Sequence, residues 1–106
     1  MEGLAAKEAA MSNMVKHDDW LFERLKDAEF AAHYLNAAQD DDDPQTYLTA
    51  LRHVVEARGG MATLAQKTQL SRETLYRTLS VRGNPTMKTL NAILKAVGLR
   101  MGVSAH

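Results

Sequence analysis

Cysteine is absent from this 106-residue sequence, and proline occurs only twice. Without cysteine the chain has no disulfides, thiolate metal ligands or cysteine nucleophiles. No apolar run approaches the length needed to span a membrane. The N-terminal stretch carries Glu2 and Glu8 and has no apolar segment, which argues against a secretory signal. We therefore expect one cytoplasmic domain of ordinary size.

The sequence also has no net charge, but the two signs are separated along the chain. Residues 1–43 hold 11 Asp and Glu against 4 Lys and Arg, a net charge of −7. Residues 44–106 hold 2 Asp and Glu against 9 Lys and Arg, a net charge of +7. Such asymmetry suggests two partners of opposite charge, although a chance distribution over a solvated surface is the alternative.

Apolar residues recur at helical spacing over most of the chain and predict an all-α fold of five to six short helices. Trp20 and Leu21 lie in the first helix, and Asp27 is placed to cap a second. The run Asp40–Asp43 predicts the end of that helix, because clustered negative charge is unfavourable at a helix C-terminus. The first part of the fold is therefore helical and acidic.

The Asp43–Pro44 pair starts a third helix with a strong apolar stripe, since a cap residue followed by proline favours a helix start. Two short helices are predicted over residues 61–68 and 72–79, and the Asn84–Pro85 pair opens the last helix. Residues 99–103 then alternate apolar and other side chains, which predicts a short C-terminal strand. We divide the chain into a poorly ordered extension at 1–19, an acidic helical segment at 20–43, and a helix-turn-helix region at 44–106 with its motif at 61–80.

The stretch "LAQKTQLSRETLYRTLSVRGNP", residues 64–85, contains two short helices joined by a tight turn. This arrangement places the second helix in the major groove of DNA in helix-turn-helix proteins. Ser71 can cap the second helix, and burial of its leucines turns Glu73, Thr74, Tyr76 and Arg77 outward. The alternative is a purely structural helix pair in which Glu73 and Arg77 form a solvent-exposed ion pair.

The segment "GGMATLAQKTQLSRETLYRTLSVRGNPTMKTLNAILKAVGLRMGV" resembles the Xre/Cro-type helix-turn-helix of addiction-module antidote proteins, the HigA-like antitoxins. The resemblance covers about residues 20–103, and the family turn usually carries glycine where this chain has Gln69. By match to the family motif, the residues expected to contact DNA bases are Ser71, Arg72, Glu73, Thr74 and Arg77. We further predict phosphate contacts from Thr63, Lys67, Tyr76, Arg82, Asn84 and Lys88.

The resemblance implies an antitoxin that neutralises a RelE/ParE-superfamily toxin, usually an mRNA-cleaving enzyme, and represses its own operon. A homodimer on double-stranded operator DNA is expected, with residues 99–103 and the last helix as the dimer surface. The acidic half suits a basic toxin, with Trp20, Leu21 and Phe22 as candidate contacts, although packing within the chain explains these residues equally well. A stand-alone phage-type regulator without a toxin is the alternative function.

Catalysis and metal binding have no support in the sequence. His53 and Glu56 lie three residues apart, but two ligands without a third cluster do not make a metal site. The run Asp40–Asp43 lacks the spaced oxygens and the glycine of a calcium loop. No nucleophile–base pair or glycine-rich phosphate loop occurs. We therefore expect no enzyme activity, no metal and no cofactor.

Overall fold

The computed structural model describes residues 19–105, and over this range the chain forms six helices and no strand. The first helix, α1, occupies residues 19–25. The others are α2 (Ala28–Gln39), α3 (Pro44–Ala57), α4 (Gly60–Thr68), α5 (Arg72–Thr78) and α6 (Met87–Ala96). The predicted all-α class is confirmed. The extension predicted for the first 19 residues lies outside the described residues except for Asp19, which is helical.

All six helices contribute apolar side chains to one core. Helix α2 packs against α3, and α4 packs against α3, α5 and α6. The largest fully buried side chains come from α1, α3, α4, α5 and α6 and from the residue after α5, namely Leu25, Leu51, Val54, Val55, Leu64, Leu75, Leu79, Ile93 and Leu94. No charged or polar side chain of the described residues is buried in it. The acidic and basic segments therefore form one folding unit.

The local signals that start α2 and α3 act as the sequence predicts. The Asp27 carboxylate accepts a hydrogen bond from the Glu29 backbone N–H at 2.9 Å. The Asp43 carboxylate accepts one from the Gln45 backbone N–H at 2.9 Å, and Pro44 occupies the first turn of α3. Both bonds satisfy backbone donors that have no partner within the helix.

Two predictions about the C-terminal part are wrong. Helix α6 does not open at the Asn84–Pro85 pair but at Thr86, whose hydroxyl accepts a hydrogen bond from the Thr89 backbone N–H at 3.1 Å. Residues 99–105 form no strand. A strand needs a neighbouring strand for its backbone hydrogen bonds, and the described part of the chain is otherwise helical and offers none. Leu99 and Met101 instead pack partly against the core.

Arg58, at the C-terminus of α3, joins the two ends of the fold. Its Nε donates to the Val97 carbonyl oxygen at 2.7 Å, after α6. Its Nη1 donates to the carbonyl oxygen of Leu25, the last residue of α1, at 3.4 Å and to that of Lys26, which follows it, at 2.6 Å. These carbonyls have no partner inside their own helices, so one guanidinium group satisfies the ends of two helices at once.

None of the helices in residues 19–105 is long and apolar enough to cross a membrane.

Candidate nucleic-acid interface

The turn between α4 and α5 contains a left-handed residue at the position where the related turn usually carries glycine. Gln69 has φ 60° and ψ 22° and is the one non-glycine residue with positive φ among those described. Its backbone N–H donates to the Ala65 carbonyl oxygen at 2.9 Å. The left-handed conformation costs a side-chain-bearing residue about 1–2 kcal/mol. The chain accepts this strain because the turn must redirect α5 within three residues.

Ser71 starts α5, as predicted. Its hydroxyl oxygen accepts a hydrogen bond from the Thr74 backbone N–H at 3.0 Å and donates its proton to the Thr74 hydroxyl oxygen at 2.8 Å. Leu70, in the turn, packs partly against the core. The hydroxyl group that was predicted to contact bases therefore already holds the start of the helix. Ser71 acts first by fixing the orientation of α5.

Burial of Leu75 and Leu79 fixes which face of α5 meets solvent. Arg72, Glu73 and Arg77 are exposed, and Tyr76 is 55% exposed. No ion pair joins Glu73 to Arg77, because the one salt bridge among the described residues is Lys26–Glu23 at 2.9 Å. The outer face of α5 thus presents two guanidinium groups, a carboxylate and a phenol, all groups that can bond to bases or phosphates.

Contacts from distant parts of the chain hold the C-terminal end of α5. The Arg52 side chain, on α3, donates from Nε to the Leu79 carbonyl oxygen at 3.0 Å. Gly83 follows in a tight loop, where a Cβ atom would lie 1.9 Å from the Thr78 carbonyl oxygen. Only glycine permits this approach. Sequence reasoning missed the role of Arg52, because its partner lies 27 residues away and no local pattern indicates it.

The predicted phosphate-contacting residues differ in their surroundings. Arg82 and Lys88 are exposed. Lys67 donates from Nζ to the Ala96 carbonyl oxygen at 3.3 Å, so its ammonium group is engaged at the end of α6. Thr63 is half-buried beside Gly59. Asn84 is exposed but lines a groove together with Asp41–Asp43, whose charge opposes phosphate.

The acidic side of the molecule carries an aromatic cluster. Trp20 is 51% exposed, and its ring packs edge-on against Phe30 with centroids 6.0 Å apart. The Arg24 guanidinium lies over both rings, 5.4 Å from the Trp20 centroid and 5.0 Å from the Phe30 centroid. A cation over aromatic faces is attracted by their electron density. The sequence pattern indicates Trp20 as a candidate contact but gives no signal for Arg24 or for the packing on Phe30.

Leu21 and Phe22, the other two candidate toxin contacts, point into the fold to different degrees. Leu21 is 8% exposed and belongs to the core. Phe22 is half-buried, and its ring lies edge-on to His53 with centroids 5.9 Å apart. His53 Nδ1 also forms a 2.9 Å hydrogen bond with the Tyr34 hydroxyl. Of the three, Trp20 offers the most surface to a partner.

No group of three or more His, Cys, Asp or Glu within residues 19–105 is arranged to hold a metal ion. Burial raises the pKa of the Tyr47 phenol, on α3, above its ordinary value because the charged phenolate is poorly solvated there. Tyr47 lies beside the groove that contains Asn84, and not on the outer face of α5.

Comparison with known proteins gives two findings. The family model described as "Probable addiction module antidote protein" matches residues 14–105. An uncharacterized protein of Haemophilus influenzae is 37% identical to this chain over 90 residues, which covers 76% of this chain and 92% of that protein. No solved structure gives a significant match.

Proposed function

Because the chain belongs to the addiction-module antidote family, with the match spanning residues 14–105, we propose that it is an antitoxin that also represses its own operon. Family membership supports a toxin partner of some kind. The finer proposal is a HigA-like, Xre-type antitoxin that neutralises a RelE/ParE-superfamily toxin in the cytoplasm. The observation that carries the DNA-binding part is the exposed face of α5 behind a tight turn.

The proposed DNA contacts are those that the exposed face can make. Arg72 and Arg77 can each form two hydrogen bonds with guanine, and Glu73 can accept one from cytosine. Arg82 and Lys88 are proposed for the phosphate backbone, where positive charge matters more than geometry. Ser71 and Thr74 support the helix start, and Tyr76 stands beside Arg77 on the same exposed face. In this proposal the antitoxin has no catalytic role and needs no cofactor.

We propose that the chain binds operator DNA as a homodimer. One helix-turn-helix module buries too little DNA surface for strong specificity, so two copies on half-sites about 10 bp apart are expected. Val103 is 99% exposed, while Leu99 and Met101 are partly buried. The last helix and residues 99–103 remain the proposed dimer surface, now without a paired strand. Light scattering at micromolar concentration tests this: a monomer that does not change when residues 99–106 are deleted contradicts it.

The toxin is proposed to bind the acidic side of the molecule. Residues 19–43 hold 8 Asp and Glu against 2 Lys and Arg, a net charge of −6. Complementary charge speeds association with a basic protein, and exposed Trp20 offers an aromatic anchor of the kind that dominates interfaces. DNA and toxin would then occupy different faces.

The experiment uses two point variants, because a chain beginning at Pro44 would lose Leu25 and Leu35 from the core. The wild-type chain, Arg77→Ala and Trp20→Ala are each expressed with the product of the neighbouring gene as the candidate toxin, and growth is followed. Each purified protein is also titrated with its own promoter DNA in gel shifts. Circular dichroism confirms that each variant is folded.

We expect wild type to rescue growth and bind the promoter. Arg77→Ala should rescue growth but bind DNA weakly. Trp20→Ala should bind DNA as wild type does but fail to rescue growth. A wild-type protein that binds DNA without rescuing growth would favour the stand-alone regulator. A protein that rescues growth but binds no promoter DNA would remove the repressor role.

A further inference from the structure

A groove of about 560 Å³ lies between the end of α2, the start of α3, the N-terminal part of α6 and the tail. Its volume falls within the range of ordinary binding pockets, roughly 300–1,000 Å³. The groove is separate from the outer face of α5, since none of its lining residues belongs to that helix. It also lies at the far end of α2 from the Trp20–Phe30 cluster.

The floor of the groove is apolar. Tyr47, Leu90 and Met101 line it and are only partly buried, although each also packs against the core. Met87, at the start of α6, lines the same groove and is 63% exposed. Methionine side chains are flexible and polarizable, so they adapt to the shape of a partner side chain. The groove therefore offers an apolar surface that the described part of the chain leaves uncovered.

The rim of the groove is acidic. Asp41, Asp42 and Asp43 line it, and no Lys, Arg or His does. Asp41 and Asp43 each accept a backbone hydrogen bond at 2.9 Å, from Asp43 and Gln45 respectively. None of the three aspartates forms a salt bridge within residues 19–105. Adjacent carboxylates repel one another, and a partner that carries positive charge would relieve that repulsion.

Two other possible occupants of the groove, a metal ion and DNA, are less suited to it. The aspartates are not arranged to hold a metal ion, within the range that the structure describes. DNA would bring phosphates toward three carboxylates, which is repulsive. A protein segment with an apolar side chain between Lys or Arg residues matches both floor and rim.

We propose that this groove receives an apolar segment of the toxin, flanked by basic residues. The inference rests on the proposed antitoxin function and adds a second toxin contact, at the opposite end of α2 from Trp20, together with its chemistry. Asp42 steers the basic residues and fixes their position at the rim. Met87, with Tyr47 and Met101, surrounds the apolar side chain. The base contacts of α5 and the toxin contact then use different residues, whereas the toxin would compete with a second copy of this chain for Met101 and Val103, which belong to the proposed dimer surface.

The test uses four full-length variants in two matched pairs. Asp42→Lys reverses a rim charge without removing a helix cap, and Glu56→Lys makes the same charge change at an exposed position outside the groove. Met87→Glu places a carboxylate in the groove, and Val81→Glu does so at a residue that is 66% exposed and lies outside it. The probe is the purified product of the neighbouring gene, the candidate toxin, and binding is followed by surface plasmon resonance.

We expect Asp42→Lys to slow association and Met87→Glu to speed dissociation, each weakening binding on the order of 10-fold or more. The controls should bind within about twofold of wild type, since isolated surface changes have small effects. Groove variants that bind as tightly as wild type overturn the proposal. Controls that lose as much affinity as their groove partners also overturn it, because the effect is then not local.

A second measurement separates failure of this inference from failure of the proposed function. If the wild-type chain does not bind the product of the neighbouring gene, the antitoxin proposal fails. The groove is then tested with two synthetic peptides, one that contains leucine and lysine and one that contains leucine and glutamate. Methionine methyl resonances are followed by NMR. The groove is supported if the methyl resonances of Met87 and Met101 shift with the lysine peptide and not with the glutamate peptide. These shifts should disappear in Asp42→Lys. Equal shifts with both peptides, or none, overturn it.

Discussion

The acidic segment of residues 19–43 and the basic segment of residues 44–106 share one core but present different surfaces. Residues 19–43 carry a net charge of −6, and residues 44–106 carry +7. The core contains no charged side chain within the described residues, so the segregation is confined to the surface. The separation of charge along the chain therefore does not mark a boundary between two domains. It divides the surface of a single fold into an acidic part and a basic part.

The largest expected effect comes from breaking the junction between these two regions. Arg58→Ala removes hydrogen bonds to carbonyl groups after α1 and after α6. Hydrogen bonds from charged donors contribute about 1.5–3 kcal/mol each, but the bond to Lys26 is exposed to solvent and contributes less. We therefore expect the free energy of unfolding to fall by about 2–3 kcal/mol. Urea unfolding measures this. Arg100→Ala removes an exposed arginine and should change stability by less than about 0.5 kcal/mol. Equal effects of the two variants would show that Arg58 does not join the regions.

The next effect concerns the basic region alone and separates its two kinds of DNA contact. Arg77→Ala should cost about 1–3 kcal/mol of binding free energy and relax the base preference at one position. Arg82→Ala should weaken all DNA sequences alike and lower the salt dependence by about one counterion. Gel shifts over a range of salt concentrations with altered operators measure both. If Arg82→Ala changes base preference, its assignment to phosphate is wrong.

A smaller effect tests the strain in the turn that orients α5. Gln69→Gly removes the left-handed penalty of about 1–2 kcal/mol but makes the unfolded chain more flexible, so we expect a net gain of about 0.5–1 kcal/mol. Gln66→Gly makes the same change inside α4 and should lose roughly 0.5–1 kcal/mol. Thermal unfolding compares them. A loss of stability in both variants would mean that the turn is not strained.

The smallest effect is expected where the acidic run meets the basic region, at Tyr47. Burial raises the pKa of its phenol, so above the ordinary value of about 10 the unfolded chain loses the proton more readily than the folded chain. Stability from this group is present below that pH and is lost as the pH rises through the raised pKa. Tyr47→Phe should show a shallower alkaline loss of unfolding free energy than wild type. Identical pH profiles would rule out a contribution from Tyr47.

Local signals predicted the helices well. Asp27, Asp43 and Ser71 each cap the helix that follows them, because the bond that a cap accepts involves a backbone N–H only two or three residues away. Gln69 is left-handed at the position where the related turn usually contains glycine, so the conformation agrees with the resemblance. In these places the sequence contains both partners of the interaction within a few residues.

Predictions were wrong or incomplete where two local signals compete, or where the partner is distant or missing. Thr86 competes with the Asn84–Pro85 pair as a cap, and its hydroxyl is placed to accept from Thr89. The strand at 99–103 had a suitable pattern but no neighbouring strand. Arg58 binds groups 32 to 39 residues away, and Trp20 packs on a phenylalanine of the next helix. No local pattern encodes such contacts. The assignment of DNA- and toxin-contacting residues stays a prediction.

The order in which the helices pack has a consequence for synthesis. Most helices pack against a neighbour in sequence, α2 on α3, α3 on α4 and α4 on α5. Small helical proteins with such short-range contacts fold in microseconds to milliseconds. Ribosomes add about 5–20 residues per second. The completed chain is therefore expected to fold in less time than the ribosome takes to add a single residue. The supply of active protein then depends on the rate of translation and not on the rate of folding.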